Sequence, residues 1–177
     1  NFDAYRTTTT SSATAISTAA GANLANPDWL PTWSNGPSYQ QAVKQVGDRF
    51  WVGGSEHLNF SYDTHTYERL STNITKSRGG DFQGYGATAT ELFAGSHANE
   101  FNYSGATNWP NVGTGWTAVD SIGWMGAWDA VTGAYINTFN PHMSMRSGSG
   151  IWAIAVGKDD ETVWAGGDVT GGRISGG

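Results

Sequence analysis

Apolar and polar residues alternate along this chain in short runs, and each run is closed by a turn signal. Residues 124–129 alternate toward a strand, and Ala130-Val131-Thr132-Gly133 then reads as a hairpin turn, its Gly supplying the positive φ. Residues 134–139 are the next predicted strand, closed by Asn140-Pro141. The apolar run 151–156 is a further strand, followed by the polar turn Lys158-Asp159-Asp160-Glu161. Residues 162–165 form a strand that runs into Gly166-Gly167. Four short strands joined by tight turns predict one blade of a β-propeller.

The unit recurs. Phe50-Trp51-Val52-Gly53-Gly54 and Leu92-Phe93-Ala94-Gly95-Ser96 repeat the pattern of Val163-Trp164-Ala165-Gly166-Gly167. The first two copies are 42 residues apart, within the length of a blade. The third follows after a longer interval, which puts an insertion at about residues 97–122. Residues 59–63 and 67–72 mirror the strands on either side of the Thr-Gly turn, and residues 28–33 resemble the outer strand of a preceding blade. Each twisted sheet must bury both faces, and stacking blades buries Trp, Phe, Val and Ile between them. The paired glycines are read as structural, allowing a turn or bulge where backbones crowd. No Gly-rich stretch leads into a helical period, so a dinucleotide cradle is missing.

The phrases Trp128-Asp129-Ala130-Val131-Thr132-Gly133, Phe139-Asn140-Pro141, Trp152-Ala153-Ile154-Ala155-Val156 and Val163-Trp164-Ala165-Gly166-Gly167-Asp168 resemble the short-repeat β-propellers of secreted bacterial proteins, with delta-60-like repeats. The likeness is good over 124–171, fair over 27–96 and absent over 1–26. It implies an extracellular or cell-surface setting and brings no catalytic set. The fold expected is therefore all-β, a β-propeller or partial propeller of about three four-stranded blades. A Thr/Ser/Ala-rich segment, 1–26, precedes the blades at 27–177. About three blades leave the ring open, so further chain segments or self-association are expected to complete it.

Composition narrows the classes. Charged residues make up 14% of the chain and the net charge is −6 with no basic run, which argues against nucleic acid as a partner. No apolar stretch has the length of a membrane helix. The absence of Cys removes disulfides, thiolate metal sites and a Cys nucleophile. The chain begins at Asn1 rather than Met, so it is expected to be processed or part of a longer polypeptide. Asn59-Phe60-Ser61, Asn73-Ile74-Thr75 and Asn102-Tyr103-Ser104 match the N-glycosylation pattern.

The loops after the glycine motifs and those entering each innermost strand are expected to share one face. That face collects Glu56, His57, Arg78, His97, His142, Arg146 and Asp168. His57 and His97 follow similar glycine motifs, which suggests a paired site with Glu56 and Asp168 beside it. No metal-binding spacing accompanies them, and neither a metal nor another cofactor is expected. The insertion carries Phe101, Tyr103, Trp109 and Trp116 between Asn and Gly, a composition suited to sugar stacking or a protein contact, or to a small satellite core. Glu56, Asp81, Asp120 and Asp168 are the carboxylates available for glycoside chemistry. Asp63 and Asp129 sit before equivalent turns and are read as backbone caps. The leading expectation is a non-catalytic module that recognises a glycan or partner protein through Trp109, Trp116, Tyr103, His57, His97, Glu56 and Asp168. The alternatives are a propeller glycosidase or lyase, and a structural subunit of an extracellular filament, sheath or virion.

Overall fold

A computed structural model of the chain describes residues 4–34, 38–76, 80–146 and 150–172. The strands in chain order are β1 (Ala4–Tyr5), β2 (Thr8–Thr9), β3 (Gln40–Val46), β4 (Arg49–Gly54), β5 (Asn59–Asp63), β6 (Arg69–Ser71), β7 (Asn73–Lys76) and β8 (Phe82–Ala87). They continue with β9 (Glu91–Ser96), β10 (Phe101–Ser104), β11 (Ala118–Ser121), β12 (Met125–Asp129), β13 (Ser144–Met145), β14 (Ile151–Val156), β15 (Val163–Gly167) and β16 (Val169–Gly171). A single 3₁₀ turn, Ser55–His57, is the helical element among the described residues. No helix among the described residues is long and apolar enough to cross a membrane.

The architecture is all-β, built from small antiparallel sheets. The first sheet has the order β3-β4-β5-β6, the second β8-β9-β12, and the third β14-β15. Strand β8 of the second sheet lies against both β3 and β14, so the three sheets stack in chain order through their first strands. Among the described residues the sheets close into neither a barrel nor a ring. Only the first sheet has four strands among the described residues. Residues 134–139 do not form the predicted strand: Tyr135 alone bridges to Trp128, and the chain then turns, with the Phe139 amide donating to the Ile136 carbonyl. Ile136 and Phe139 pack inward beside Phe93 and Met125 instead.

The three copies of the glycine motif share one register. β4 pairs Gly54 with Gln40 and Gly53 with Ala42, leaving Gln41 as a bulge. β9 pairs Ser96 with Phe82 and Gly95 with Gly84, leaving Gln83 over. β15 pairs Gly167 with Ile151 and Gly166 with Ala153, leaving Trp152 over. A bulge therefore lies opposite each glycine motif, at the same place in all three sheets, with the extra residue on the partner strand rather than at the glycines themselves. Sterics explain Gly53, Gly54, Gly95 and Gly167 but not Gly166. A Cβ on Gly54 would run into the Tyr39 carbonyl, and one on Gly95 would come within 2.5 Å of Ile151 Cγ2.

Cores form between successive sheets. Trp51, Phe82, Leu92, Ala94 and Trp128 fill the space between the first and second. Phe93, Met125, Ala127 and Ile151 fill that between the second and third, with Ile154 and Val156 against them. Burying a Leu-, Ile- or Phe-sized side chain stabilises by about 1.5–3 kcal/mol, so these seams carry much of the fold. Asp63 and Asp129 cap the turns as expected. Asp63 Oδ1 accepts from the amides of His65 and Thr66, each at 2.8 Å, and Asp129 Oδ1 from those of Val131 and Thr132 at 2.9 and 2.7 Å. Arg49 ties the first two sheets, donating to Ser61 Oγ at 2.6 Å and to the Val131 carbonyl at 2.7 Å.

The insertion is a sheet of its own. β10 pairs with β11 and, on its other side, with β7, giving the order β11-β10-β7. A bridge from Leu58 to Ile74 joins this side sheet to the first. Their common core holds Val52, Leu58, Phe60, Tyr62 and Ile74, with Tyr103, Trp109, Trp29 and Trp33 packed on it. Residues 28–33 are not a strand. They lay Trp29 edge-on against Phe50 and Tyr62, at ring separations of 5.4 and 5.5 Å. The N-terminal segment also has structure: β1 pairs with β2, and Ile16 bridges Leu24.

Candidate binding face

The bulges determine what the starting ends of β3, β8 and β14 present. An extra residue re-aims the side chains around it, and in each sheet the residue just past the glycine pair lies alongside. His97 and Asp168 hold these equivalent places. His97 Nε2–H donates to Gln83 Oε1 at 3.1 Å, and the Trp152 indole N–H donates to Asp168 Oδ2 at 3.3 Å. In both sheets the residue after the motif thus bonds the bulged residue. The link continues between sheets, because the His97 and Trp152 rings meet edge-to-face at 4.8 Å. Arg146 approaches Asp168 at 3.8 Å. At the first sheet the Tyr39 hydroxyl donates to Asp81 Oδ2 at 3.3 Å, a bond across to the second sheet. The Asp81 charge, together with burial, raises the Tyr39 pKa.

A band of polar and aromatic groups therefore crosses all three sheets at one end: Tyr39, Asp81, Gln83, His97, Trp152 and Asp168. Tyr39 is 44% exposed and Trp152 46% exposed. An aromatic ring beside amide, carboxylate and imidazole groups can stack on an apolar surface while its neighbours exchange hydrogen bonds.

The other predicted residues fall differently. His57 is buried, with positive φ, and its Nδ1–H donates to the Thr75 carbonyl at 2.9 Å. The Trp109 ring lies over it at 4.3 Å. Burial lowers the His57 pKa, outweighing the hydrogen bond to Thr75 and the Asp81 charge, which raise it. The two histidines are not equivalent: His97 is one residue past its motif, His57 three. Glu56 is buried beside His57 in the 3₁₀ turn. Tyr103 and Trp109 lean into the core of the first sheet, while Trp116 stays at its edge, its ring 5.7 Å from Tyr103 and its indole N–H on the Gly113 carbonyl. His142 follows Asn140, whose side chain accepts from its amide, and Arg78 lies outside the described residues.

Among the described residues no three His, Asp or Glu groups stand close enough to hold a metal ion. Asp120 accepts from Asn137 at 3.1 Å at the edge of a separate cleft of about 460 Å³, lined also by Arg69, Asn73 and Tyr135. Of the carboxylates named for glycoside chemistry, Asp81 and Asp168 lie in the band, Glu56 is buried in the 3₁₀ turn, and Asp120 stands apart.

The three glycosylation patterns form buried structure. Asn59, Asn73 and Asn102 are all buried, with Asn102 Nδ2–H on Asn73 Oδ1 at 3.1 Å and the Tyr85 hydroxyl on Asn59 Oδ1 at 2.6 Å. In each strand Asn and Ser or Thr alternate with an apolar residue. The pattern is a half-polar strand facing a buried polar layer, not a surface acceptor.

Sequence reasoning missed Tyr39, Gln83 and Trp152. Trp152 reads as one more apolar residue of a core strand. The signal that exposes it is the partner motif: a Gly-Gly ending the next strand marks a bulge opposite, and the bulge turns Trp152 out. No protein-family model, curated protein or solved structure matches this chain.

Proposed function

We propose that the three stacked sheets are successive blades of a propeller arc, and that the chain is a non-catalytic binding or structural module. Its recognition face is the band of Tyr39, Gln83, His97, Trp152 and Asp168, and its partner is a glycan or a protein surface. The observation that carries this reading is the threefold repeat of the bulge, which sets Gln41, Gln83 and Trp152 at the same place in each sheet. Packed sheets fix the loops, and the loops recognise the partner. The resemblance to secreted short-repeat propellers supports work outside the cell or at its surface.

The test is a binding titration of the chain against immobilised glycans and surface proteins, with Trp152→Ala and Tyr39→Ala as variants. Loss of a buried aromatic anchor costs about 2 kcal/mol or more, so each variant is expected to bind at least about tenfold more weakly. Both variants binding every captured partner as well as the parent would remove this face from consideration.

A further inference from the structure

The three copies of the aromatic-glycine motif have unequal surroundings. By their shared register, Trp51, Phe93 and Trp164 are equivalent, each two residues before the glycine opposite the bulge. Trp51 is 0% exposed and Phe93 is buried, both covered by the following sheet, whereas Trp164 is 66% exposed. The glycines agree. A Cβ on Gly53 would meet the Tyr85 hydroxyl and lie 2.8 Å from Phe82 Cβ, and one on Gly95 would lie 2.5 Å from Ile151. On Gly166 it would find only Ala153 of its own sheet, at 3.9 Å. The third sheet thus carries the donor half of the same seam with nothing against it among the described residues.

The receiving half is also present. Tyr85, Ala94 and Leu92 of the second sheet belong to the core that receives Trp51. Their equivalents in the first sheet are Val43, Val52 and Phe50. These three line an apolar groove of about 230 Å³, walled further by Trp29, Tyr67, Ala13 and Ala15. Val43, on the inner strand, is 63% exposed. Val52 is already closed over by the side-sheet core, so the groove keeps open only the Val43 side of the counterpart of the Trp51 socket, and Trp164 is the counterpart of Trp51.

We infer that a second copy of this chain docks head-to-tail, Trp164 of one copy entering the groove beside Val43 of the next. This rests on the reading of the sheets as successive blades, since it continues their stacking from one molecule to another. A contact between different surfaces closes into a ring when its rotation allows and otherwise runs on as a filament. Trp29 plugs the outer part of the receiving face, against Phe50 and Tyr62, so the junction is seated on the inner strands.

The experiment is light scattering of the purified chain at about 100 µM, a concentration at which a contact of about 10 µM is mostly formed. The parent is expected at twice the chain mass or a higher multiple. Trp164→Ala and Val43→Glu are each expected at the chain mass. Their equimolar mixture restores association, because Trp164 of one variant meets the intact groove of the other. Should Val43→Glu fail to fold, Gln45→Trp, which fills the groove from its own wall, takes its place. A parent that stays at the chain mass overturns the inference. So does association that survives the groove variant, which would mean pairing of two Trp164 faces. The blade reading has its own readout in the same samples: a large loss of stability in Trp51→Ala keeps the stacked arc even when the parent is monomeric, and no loss removes the arc itself.

Discussion

Sheets one and three carry nearly the same words, Trp-Val-Gly-Gly in β4 and Trp-Ala-Gly-Gly in β15, and nearly the same register. Yet Trp51 lies at the centre of a core and Trp164 lies on the surface. The local pattern determines strand, bulge and facing. It does not determine burial, which is supplied by whatever stands opposite. Two positions with equal propensity therefore differ in energetic weight, because one side chain loses its water and the other keeps it.

The widest separation between the two sheets is expected at the tryptophans. Trp51→Ala opens a cavity bounded by Phe82, Leu92 and Trp128, and should cost about 3–5 kcal/mol. Trp164→Ala removes a ring that faces solvent in the single chain and should change its stability by about 0.5 kcal/mol or less. Urea unfolding of both variants, at concentrations low enough to keep the chain dissociated, checks the pair. Equal losses would break the comparison, since they would mean that Trp164 is also buried within one chain.

The glycines give a smaller contrast of the same kind. Gly53→Ala forces a methyl toward Phe82 and Tyr85, so the second sheet must retreat or the ring must turn. Overpacking of that sort costs about 1–3 kcal/mol. Gly166→Ala meets only Ala153 at 3.9 Å and is expected to stay within about 0.5 kcal/mol of the parent. The midpoints of the two urea curves decide this, and a Gly53→Ala midpoint unchanged from the parent would show that the seam is loosely packed.

How much of this was readable in the sequence follows from the same distinction. Strands such as 59–63, 91–96 and 151–156 are legible because short alternating or apolar runs are local and turns announce themselves. The Asp63 and Asp129 caps are legible because an Asp carboxylate meets the amides two and three residues ahead. The glycine bulges are legible because they recur. Pairings across long stretches of chain are not. Nothing near residues 73–76 says that they pair with 101–104, and that pairing converts the insertion from a loop into a sheet. The candidate face was legible only in part. His97 and Asp168 stand out beside their motifs, but Trp152 looks like core until the bulge opposite Gly166-Gly167 is recognised. The same blindness to what lies opposite made His57 look like a partner of His97, when Trp109, distant in sequence, covers it.

The finest contrast between the sheets sits at that histidine. Four residues past Gly53 is His57, buried under the Trp109 ring, and four residues past Gly166 is Thr170, exposed to solvent. Burial holds the His57 pKa below its ordinary value. The folded chain therefore keeps the ring neutral to lower pH than the unfolded chain does. Below about pH 6.5 the unfolded state binds more protons, so stability is full above that pH and declines as pH falls toward the folded-state pKa. Asp63 and Asp129 act in a separate, more acidic window. Their turn hydrogen bonds lower both pKa values, so their contribution is present above the ordinary carboxylate range and is lost only below it. His57→Asn isolates the first effect. Asn tolerates the positive φ at this position, and its amide N–H can donate where Nδ1–H does, but it does not titrate. Urea midpoints between pH 7 and 5 should fall in the parent and stay flatter in the variant. Parallel slopes would mean that His57 is as open to water as Thr170, and that the insertion does not cover the first sheet.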